Sequence, residues 1–428
     1  MNTKIMVVFL AVLFVCGYSL SAAGDCRQDC MNSSNDRQVV IDCVKNCRAA
    51  SSKKNAGAAQ EKGSMTYSKK FEKKFELKGE NTGSAFCVSH DGGFMIAGSV
   101  KDDTSDGYDI QVTKTNADGE VKWTQTYKKP GDQQVAGISD RDETSYVVAG
   151  STVSEDTNED FMIVVVSDSG EFSREFVQKK PGKEIINDFM RDPMGFLTYV
   201  GTQNVVSDKE RELLIYDINE LGTVVWKLEA KEKRIMELHS IATAIDGGYL
   251  AAGKSLTDDK SNYDYMLIKV SPIGEYEWSA YYGLGNDDSA YAASDAGDNE
   301  YYIAGTLTNE KAQKVLKVVR MKVPEKGKYH SVWEKDLQYG PDNRPVGILT
   351  TKDNGCLVAA NIYSRDTTPF NIVLLKFDSK GGEQWKWLLG ENKANKTASE
   401  MKILDNGDIA IVGTDESDPM LIVLTPTK

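Results

Sequence analysis

The stretch DGGFMIAGS, from Asp91 to Ser99, has a close copy in DGGYLAAGK, from Asp246 to Lys254. Shorter echoes of its alanine–glycine end recur through the rest of the chain. The seven anchor positions of these echoes are Gly98, Gly150, Gly201, Gly253, Gly305, Ala360 and Gly413. Successive anchors are 51 to 55 residues apart, and self-similarity at such a period predicts a repeat architecture.

A set of aromatic residues keeps the same register. Trp123, Trp226, Trp278 and Trp385 each fall 25 residues after the preceding anchor. Trp333 falls 28 residues after its anchor, because three residues are inserted in the same interval. Repeat 2 has no tryptophan, and we expect Phe176 to take that place. One large aromatic side chain per repeat, at a constant position, predicts packing between neighbouring repeats rather than stacking on a ligand.

Each repeat contains four short apolar runs that are separated by turn sequences. In repeat 1 the runs are SAFCVS, FMIAGSV, YDIQVTKT and VKWTQTY, and the NADG between the last two is typical of a tight turn. Four antiparallel strands in about 50 residues correspond to one blade of a β-propeller. A solenoid of parallel coils is the alternative, but its repeats are usually shorter.

The two ends of the chain predict how the ring closes. The sequence stops after the third run of repeat 7, and the run YSKKFEKKFEL before repeat 1 is a candidate fourth strand. Phe71 lies 27 residues before Gly98, and Trp123 lies equally far before Gly150. We therefore predict that residues 67–428 form an all-β, seven-bladed β-propeller that is closed by its N-terminal strand, which removes an exposed sheet edge.

The opening motif is explained by this fold. DGG is a turn into the second strand, where glycine supplies unusual backbone angles. The following alanine–glycine pair allows close packing between neighbouring strands or blades. The motif is therefore a signature of the fold and not a binding site.

The N-terminus has the features of a secretory signal. Lys4 precedes an apolar run from Ile5 to Cys16, and SLSAAG offers a cleavage site after Ala23. Residues 1–23 are predicted to be a signal peptide, with a lipid-modified cysteine as the alternative. The protein is therefore expected to be secreted or periplasmic. No later stretch reaches the ~20 apolar residues of a membrane span.

Four cysteines follow in a CX3C–X12–CX3C pattern, at Cys26, Cys30, Cys43 and Cys47. Cysteines four residues apart share one face of a helix, so residues 24–48 are predicted to form a helical hairpin. Antiparallel helices favour the disulfides Cys26–Cys47 and Cys30–Cys43 over the other connectivities, and a four-thiolate zinc site is the rival interpretation. Residues 49–66 are predicted to be a flexible linker.

Two resemblances are carried by these motifs. The pattern D-G-G-apolar…A-G-[ST]…Y-D-apolar…K…G-x-x-x-W resembles the repeats of secreted bacterial β-propeller proteins over residues 67–428. It implies the fold and says little about activity, because propellers host many unrelated functions. The N-terminal piece resembles secreted twin-CX3C helical hairpins, some of which are protease inhibitors or toxins.

Composition limits the classes of partner. The chain has 428 residues and a net charge of −13. Since neutralisation of phosphates needs a basic surface, nucleic-acid binding is not expected.

The loops between second and third strands, such as KDDTSD and SEDTNED, are acidic, but none has the full spacing of a calcium loop. No cofactor and no metal site are predicted, with calcium in these loops as the alternative.

Catalytic motifs are scarce. The three histidines are His90, His239 and His330, and no two lie at metal-ligand spacing. His90 is expected to cap its DGG turn and His330 to face solvent. Cys87 and Cys356 are expected to be buried free thiols.

The innermost strands line the central channel and give a candidate ligand site. The residue 13 positions before each anchor is mostly small, except for Asp188 and Glu400. One position earlier lie Asn187, His239 and Tyr291, among smaller residues. Asp188, His239, Tyr291 and Glu400, at the channel mouth, are the predicted candidate site, with hydrated channel residues as the alternative interpretation.

The pattern as a whole favours an exported, non-catalytic binding or scaffold protein. Its propeller loop face would dock a protein or glycan partner, with the hairpin as a second contact. One alternative is an extracytoplasmic hydrolase or lyase that works from the channel mouth with Asp188, His239, Tyr291 and Glu400. Another is a structural component of an envelope or extracellular assembly.

Overall fold

The computed structural model describes residues 66–427, except 78, 154–158, 180–181, 192–194, 208–209, 220–222, 231–234, 257–261, 284–285, 326–327, 364–370 and 391–394. All regular structure within these residues is β-strand. The predicted signal peptide (1–23), helical hairpin (24–48), its two disulfides and nearly all of the linker (49–66) lie outside the described residues.

Strands follow the predicted repeats closely. Before and within repeats 1 and 2 they are β1 (Thr66–Lys74), β2 (Glu80–Asn81), β3 (Ala85–Val88), β4 (Phe94–Lys101), β5 (Asp109–Thr115), β6 (Val121–Tyr127), β7 (Gln133–Asp142), β8 (Ser145–Val153), β9 (Glu159–Ser167) and β10 (Phe172–Gln178). In repeats 3 and 4 they are β11 (Lys183–Arg191), β12 (Leu197–Ser207), β13 (Glu210–Ile218), β14 (Val224–Ala230), β15 (Met236–Thr243), β16 (Tyr249–Leu256), β17 (Tyr263–Val270) and β18 (Tyr276–Tyr282). In repeats 5 to 7 they are β19 (Asp288–Gly297), β20 (Glu300–Thr308), β21 (Lys314–Glu325), β22 (Lys328–Leu337), β23 (Asp342–Thr350), β24 (Cys356–Tyr363), β25 (Asn371–Phe377), β26 (Glu383–Leu389), β27 (Lys396–Ile403), β28 (Ile409–Asp415) and β29 (Asp418–Thr427).

Sheet topology is that of a β-propeller. Strands β7–β10, β11–β14 and β15–β18 form sequential four-stranded antiparallel sheets, and β2–β6 form a five-stranded sheet. Strands β19–β26 form one eight-stranded sheet, in which a single parallel bridge between Lys314 and Asp342 joins β21 to β23. The first strands of the repeats, here called the inner strands (β3, β7, β11, β15, β19, β23 and β27), contact one another in that order, and β27 contacts β3. Antiparallel sheets arranged in this way around an axis define the fold.

The N-terminal strand completes the last sheet. β1 pairs antiparallel with β29, with a register from Thr66 opposite Thr427 to Lys74 opposite Met420. The sheet order is β1-β29-β28-β27. The predicted pairing of the chain ends is therefore confirmed, and the strand begins one residue before the predicted boundary at 67.

The tryptophans pack between repeats, as predicted. Trp226 contacts Tyr249 of the next repeat, with ring centroids 5.2 Å apart. It also lies against Gly274, which has a φ of +84° and whose added Cβ would be 2.3 Å from the indole. The same contact joins Gly170 to Trp123, Gly381 to Trp333 and Gly119 to Phe71. The G-x-x-x-W motif thus places a glycine against the preceding repeat and an aromatic side chain against the following one.

Each anchor glycine lies beneath a backbone carbonyl of its inner strand. A Cβ added to Gly253 would lie 1.9 Å from the carbonyl oxygen of Glu237, and one added to Gly150 would lie 1.8 Å from that of Gln134. Backbones that approach so closely leave no space for a side chain. The predicted role of the anchors in close strand packing is confirmed.

A row of buried lysines was missed by the sequence analysis. Lys114 is 2% exposed, and its ammonium group contacts Asp91 of the first DGG turn at 3.1 Å and Asp168 of the next repeat at 2.5 Å. Lys269 and Lys376 are buried at the corresponding positions of β17 and β25 and pair with Asp246 and Asp353. Lys317 of β21 is also buried, but it lies at a different register and pairs with Glu334 and Asp336 of β22. The aspartate of the DGG motif therefore has a second role as the partner of a buried cation.

Replacing Lys114 by methionine is expected to destabilise the protein by about 1–3 kcal/mol at pH 7, because both carboxylates are partly exposed. Burial alone would raise the pKa of Asp91, but hydrogen bonds from Lys122, Ser89 and Lys114 lower it well below its usual range. A depressed carboxylate pKa stabilises the fold above the unfolded pKa of about 4, and this stability is lost as the pH falls below that value. Urea unfolding should therefore show a smaller difference between wild type and Lys114→Met at pH 3 than at pH 7. An equal difference at both pH values would exclude an electrostatic role for Lys114.

Cys87 and Cys356 are free and buried, as predicted. Burial raises the pKa of each thiol to about 12, so neither is a thiolate at neutral pH. His330 is exposed on β22, as expected. Within the described part of the chain, no helix has the length and apolar character that crossing a bilayer requires.

Candidate functional site

All the inner strands except β3 have a β-bulge at one level of the channel. The register shifts fall between residues 135 and 137, 186 and 188, 238 and 240, 290 and 292, 345 and 347, and 398 and 400. The residues inserted there, here called the bulge residues, are Ala136, Asn187, His239, Tyr291, Val346 and Ser399. Each bulge lies just after the residue that pairs with the anchor position. Bulges redirect side chains and often occur near functional sites.

Two of the predicted site residues meet at this level. The rings of His239 and Tyr291, from neighbouring inner strands, stack with centroids 4.9 Å apart and an interplanar angle of 12°. The Nε2 atom of His239 is buried and has no hydrogen-bond partner among the described residues. Burial, with a smaller contribution from Lys254, lowers the pKa of His239 to about 4. The imidazole is therefore neutral at pH 7.

The two acidic site residues each tie their inner strand to the next one. The Asp188 carboxylate accepts hydrogen bonds from the backbone N–H of Phe189 and of Ile241, both at 2.8 Å. The Glu400 carboxylate accepts one from the N–H of Phe86 at 2.8 Å. Ile241 and Phe86 occupy equivalent positions on the neighbouring inner strands. Asp188 and Glu400 therefore satisfy backbone donors that would otherwise lack partners at the edge of an inner strand.

The two carboxylates share one electrostatic environment. Burial is the main cause that raises the pKa of Asp188 to about 7, opposed by the N–H groups of Ile241 and Phe189. Glu400 raises it further and Lys402 lowers it. No hydrogen bond or ring contact within the described residues joins these carboxylates to the His239–Tyr291 pair. The four predicted residues thus form two pairs rather than one constellation.

Substitution of Asp188 by asparagine is expected to increase stability at pH 8 by on the order of 2 kcal/mol and to have little effect at pH 4. A raised carboxyl pKa means that the folded state binds the proton more tightly than the unfolded state. The wild type therefore loses stability as the pH rises from about 4 to about 7, whereas the neutral amide does not. Thermal unfolding at both pH values measures this, with Ser240→Ala at the same strand position as the control. A variant that is less stable than wild type at pH 8 would contradict the prediction.

Arg344 and Tyr363 extend the site and were missed by the sequence analysis. Arg344 is on β23, two residues before the bulge residue, and its side chain is 52% exposed. Its guanidinium lies 4.7 Å from the centroid of the Tyr363 ring and 2.7 Å from the Asp342 carboxylate. Hydrogen bonds to Asp342 raise the pKa of Arg344, and Tyr291 adds a smaller electrostatic contribution. Side chains two residues apart on a strand lie on the same face of the sheet, so counting back two residues from Val346 could have located Arg344.

A similar arrangement lies beside His239. The Lys254 ammonium is 2.8 Å from the Glu237 carboxylate and 4.7 Å from the Tyr263 ring centroid. The aromatic rings and cations of repeats 4 to 6 therefore lie on the same side of the ring as the starts of the inner strands. We call this set the mouth cluster; it comprises Asn187, His239, Lys254, Tyr263, Tyr291, Arg344 and Tyr363.

His90 does not cap its own turn, contrary to the sequence-based expectation. Its Nε2 atom is 2.7 Å from the carbonyl oxygen of Asp142 in the next repeat, and its ring stacks on Tyr146 at 5.6 Å. Asp91 caps the turn instead, by accepting a hydrogen bond from Gly93 at 3.2 Å. The cap was misplaced because the contact of His90 depends on the packing of two repeats.

The first acidic loop is organised by internal contacts. The Asp102 carboxylate accepts hydrogen bonds from the Thr104 N–H at 2.8 Å and hydroxyl at 2.6 Å, and it pairs with Lys128 at 2.9 Å. No group of three or more potential metal-ligating side chains occurs among the described residues. The Asp102 side chain of this loop is therefore paired with a lysine that directly follows β6.

Comparisons with known proteins return structures at low similarity. No family model and no curated protein sequence matches the chain. A protein of unknown function from Bacteroides caccae is 15% identical, with 64% of this chain and 90% of that chain covered and a TM-score of 0.38. The β-propeller domain of the Trilobed protease from Pyrococcus furiosus is 11% identical (84% and 96% covered, TM-score 0.44). The soluble aldose sugar dehydrogenase from Escherichia coli is 10% identical (83% and 100% covered, TM-score 0.40).

Proposed function

We propose that this chain is an exported, non-catalytic binding protein whose propeller docks a protein or glycan partner. Binding uses the loop face, which we define as the face where the inner strands begin and where the loops between second and third strands lie. The N-terminal hairpin, with disulfides Cys26–Cys47 and Cys30–Cys43, acts as a second contact on a flexible linker. The signal-like residues 1–23 support a secreted or periplasmic location.

The ring in this proposal has seven blades. Support comes from the seven anchor positions and from the closed circle of contacts between inner strands. The eight-stranded sheet counts as two blades, because its two halves are joined into one sheet by a single pair of residues, Lys314 and Asp342. A closed ring gives a rigid platform on which loops can present contacts to a partner.

The contacts of the four predicted site residues are the observation that carries the proposal. General acid–base catalysis needs proton donors and acceptors that converge on one substrate atom. Asp188 and Glu400 are instead bound to backbone N–H groups, and the neutral His239 is stacked on Tyr291. This arrangement supports recognition more than hydrolysis or elimination.

A hydrolase or lyase remains the second candidate function, on one specific observation. The pKa of Asp188 is raised to about 7 by burial, and perturbed carboxyl groups in channels are found at catalytic sites. If the wild type turned over a substrate and the variants Asp188→Asn and Glu400→Gln bound that substrate without turning it over, the hydrolase or lyase function would be favoured. A structural role in an envelope assembly would be recognised by a fixed stoichiometry with neighbouring proteins.

Affinity co-purification from the native host tests the proposal. The baits are the mature chain from Gly24, a chain that starts at Met65, and two double variants of the mature chain. Gln134→Glu/Arg344→Glu alters exposed residues of the loop face, and Glu143→Arg/Lys380→Glu alters exposed residues of the opposite face.

The proposal predicts a saturable partner that is retained by the Met65 chain and by the opposite-face variant, and lost in the loop-face variant. A partner lost only on truncation would move recognition to the hairpin. Retention by the loop-face variant, or no partner for any bait, would contradict the proposal.

A further inference from the structure

The mouth cluster combines exposed planar polar groups with aromatic rings. Asn187 is exposed, donates to the carbonyl oxygen of Leu238 at 2.6 Å, and its own side-chain oxygen accepts no hydrogen bond from the described residues. Arg344 uses its Nε and Nη2 atoms on Asp342, and no hydrogen bond of its Nη1 atom is found in the described part of the chain. The cluster therefore has both acceptor and donor capacity left for a ligand.

Aromatic surface lies between these polar groups. Tyr291 and Tyr363 are both only half-buried. The Tyr363 ring lies 4.7 Å from the Arg344 guanidinium, and Tyr291 is the bulge residue of the neighbouring inner strand. Partly exposed tyrosines with nearby planar hydrogen-bonding groups are typical of sites that fix the orientation of a small polar ligand.

The charges of the cluster balance within it. Arg344 is paired with Asp342 at 2.7 Å, and Lys254 is paired with Glu237 at 2.8 Å. His239 is neutral, because burial lowers its pKa to about 4. Because Arg344 and Lys254 are each paired with a carboxylate, the cations of the mouth cluster offer no uncompensated positive charge to an anion. A phosphate, a carboxylate or a nucleic acid would therefore gain little here.

We propose that the mouth cluster binds the end of an uncharged saccharide, an inference that rests on the proposed binding function and names its ligand class. The apolar C–H face of a sugar ring packs on Tyr291 or Tyr363, and its hydroxyl groups bond to Asn187 and to the free edge of Arg344. A hydroxyl group both donates and accepts, so it suits the mixture of acceptor and donor that these side chains present.

A glycan array probed with the mature chain tests the ligand class. The array carries neutral oligosaccharides and matched oligosaccharides with uronic acid or sulfate groups. The strongest hit is then titrated calorimetrically with wild type, Tyr291→Ala, Arg344→Gln and the control Ser399→Ala, which changes the exposed bulge residue of repeat 7. Tyr291→Phe, which keeps the ring, and thermal unfolding of every variant control for folding.

We expect the mature chain to bind neutral saccharides. Tyr291→Ala and Arg344→Gln should each lower the affinity about tenfold or more, and Ser399→Ala should change it less than about twofold. Binding of only the acidic saccharides, or neutral binding that neither variant weakens, would overturn the inference. So would the absence of saccharide binding. If a protein partner is nevertheless lost in the loop-face variant, the proposed function stands without the saccharide; if there is neither partner nor saccharide, both fail.

Discussion

A chain that begins at Phe75 is expected not to fold to a stable monomer. It lacks β1, whose pairing with β29 spans the strand from Thr66 to Lys74. The partner residues Met420–Leu424 are at most 1% exposed in the complete ring, and the loss of β1 would leave them at an open sheet edge. Loss of the cross-strand pairs and of the contact between Tyr67 and Trp385 should cost on the order of 5 kcal/mol, comparable to the whole stability of many domains.

The matched control is a chain that begins at Met65, which retains β1 and should unfold at the same midpoint as the mature protein. Circular dichroism melts and size-exclusion chromatography distinguish the two chains, because an open apolar edge promotes association. A synthetic peptide of residues 65–74 should restore part of the lost stability to the shorter chain. If the chain from Phe75 were monomeric with an unchanged midpoint, β1 would not be what closes the ring.

Replacement of Gly253 by alanine is expected to destabilise the protein by about 3 kcal/mol or more. The new Cβ would lie 1.9 Å from the carbonyl oxygen of Glu237 and 2.9 Å from the Cα of Leu238. Both are backbone atoms of β15, so relief would require the two strands to separate next to the bulge, and strain of this kind in a packed interior is costly. Urea unfolding measures the effect as a shift in midpoint.

Two controls separate steric overlap from backbone strain. Gly247 has a φ of +87°, but a Cβ there would meet only Pro272, at 3.8 Å; Gly247→Ala should therefore cost only about 1 kcal/mol. Ala360 holds the anchor position of repeat 6, so Ala360→Gly should lower stability only modestly. A Gly253→Ala variant no less stable than Gly247→Ala would refute the close approach of β15 and β16.

The fold could be predicted from the sequence because each repeat makes the same contacts with its neighbours. The anchors and the tryptophans recur at one period, and Phe71 keeps the same spacing to Gly98 as a tryptophan to the next anchor. Counting residues between these positions therefore predicted the strands, the aromatic packing and the closing strand. The sequence also showed that Asp188 and Glu400 break a column of small residues. It could not show that they bind backbone N–H groups of the next repeat, because that contact depends on the bulge and on the packing of two repeats.

Other features of the site depend on tertiary contacts alone. Lys114 resembles a surface lysine in the sequence, yet it is buried between two aspartates from different turns. Arg344 belongs to a strand whose neighbours offer no similar residue at the equivalent position, so the repeat from one blade to the next did not mark it. Its contact with Tyr363 follows from the pairing of β23 with β24. A repeat pattern predicts the contacts that all repeats share. It does not predict the contacts of a residue that occurs in one repeat alone.

The most direct test of the account is a hydrogen-exchange footprint of the mature protein, with and without its co-purified partner or saccharide. We expect protection in β11 and at the starts of β15, β19 and β23, where the inner-strand residues of the mouth cluster lie, and unchanged exchange in the turns on the opposite face. The matched variant Arg344→Gln should lose this protection. Protection confined to the opposite face, or to residues 24–48, would contradict the claim that the propeller mouth is the recognition surface.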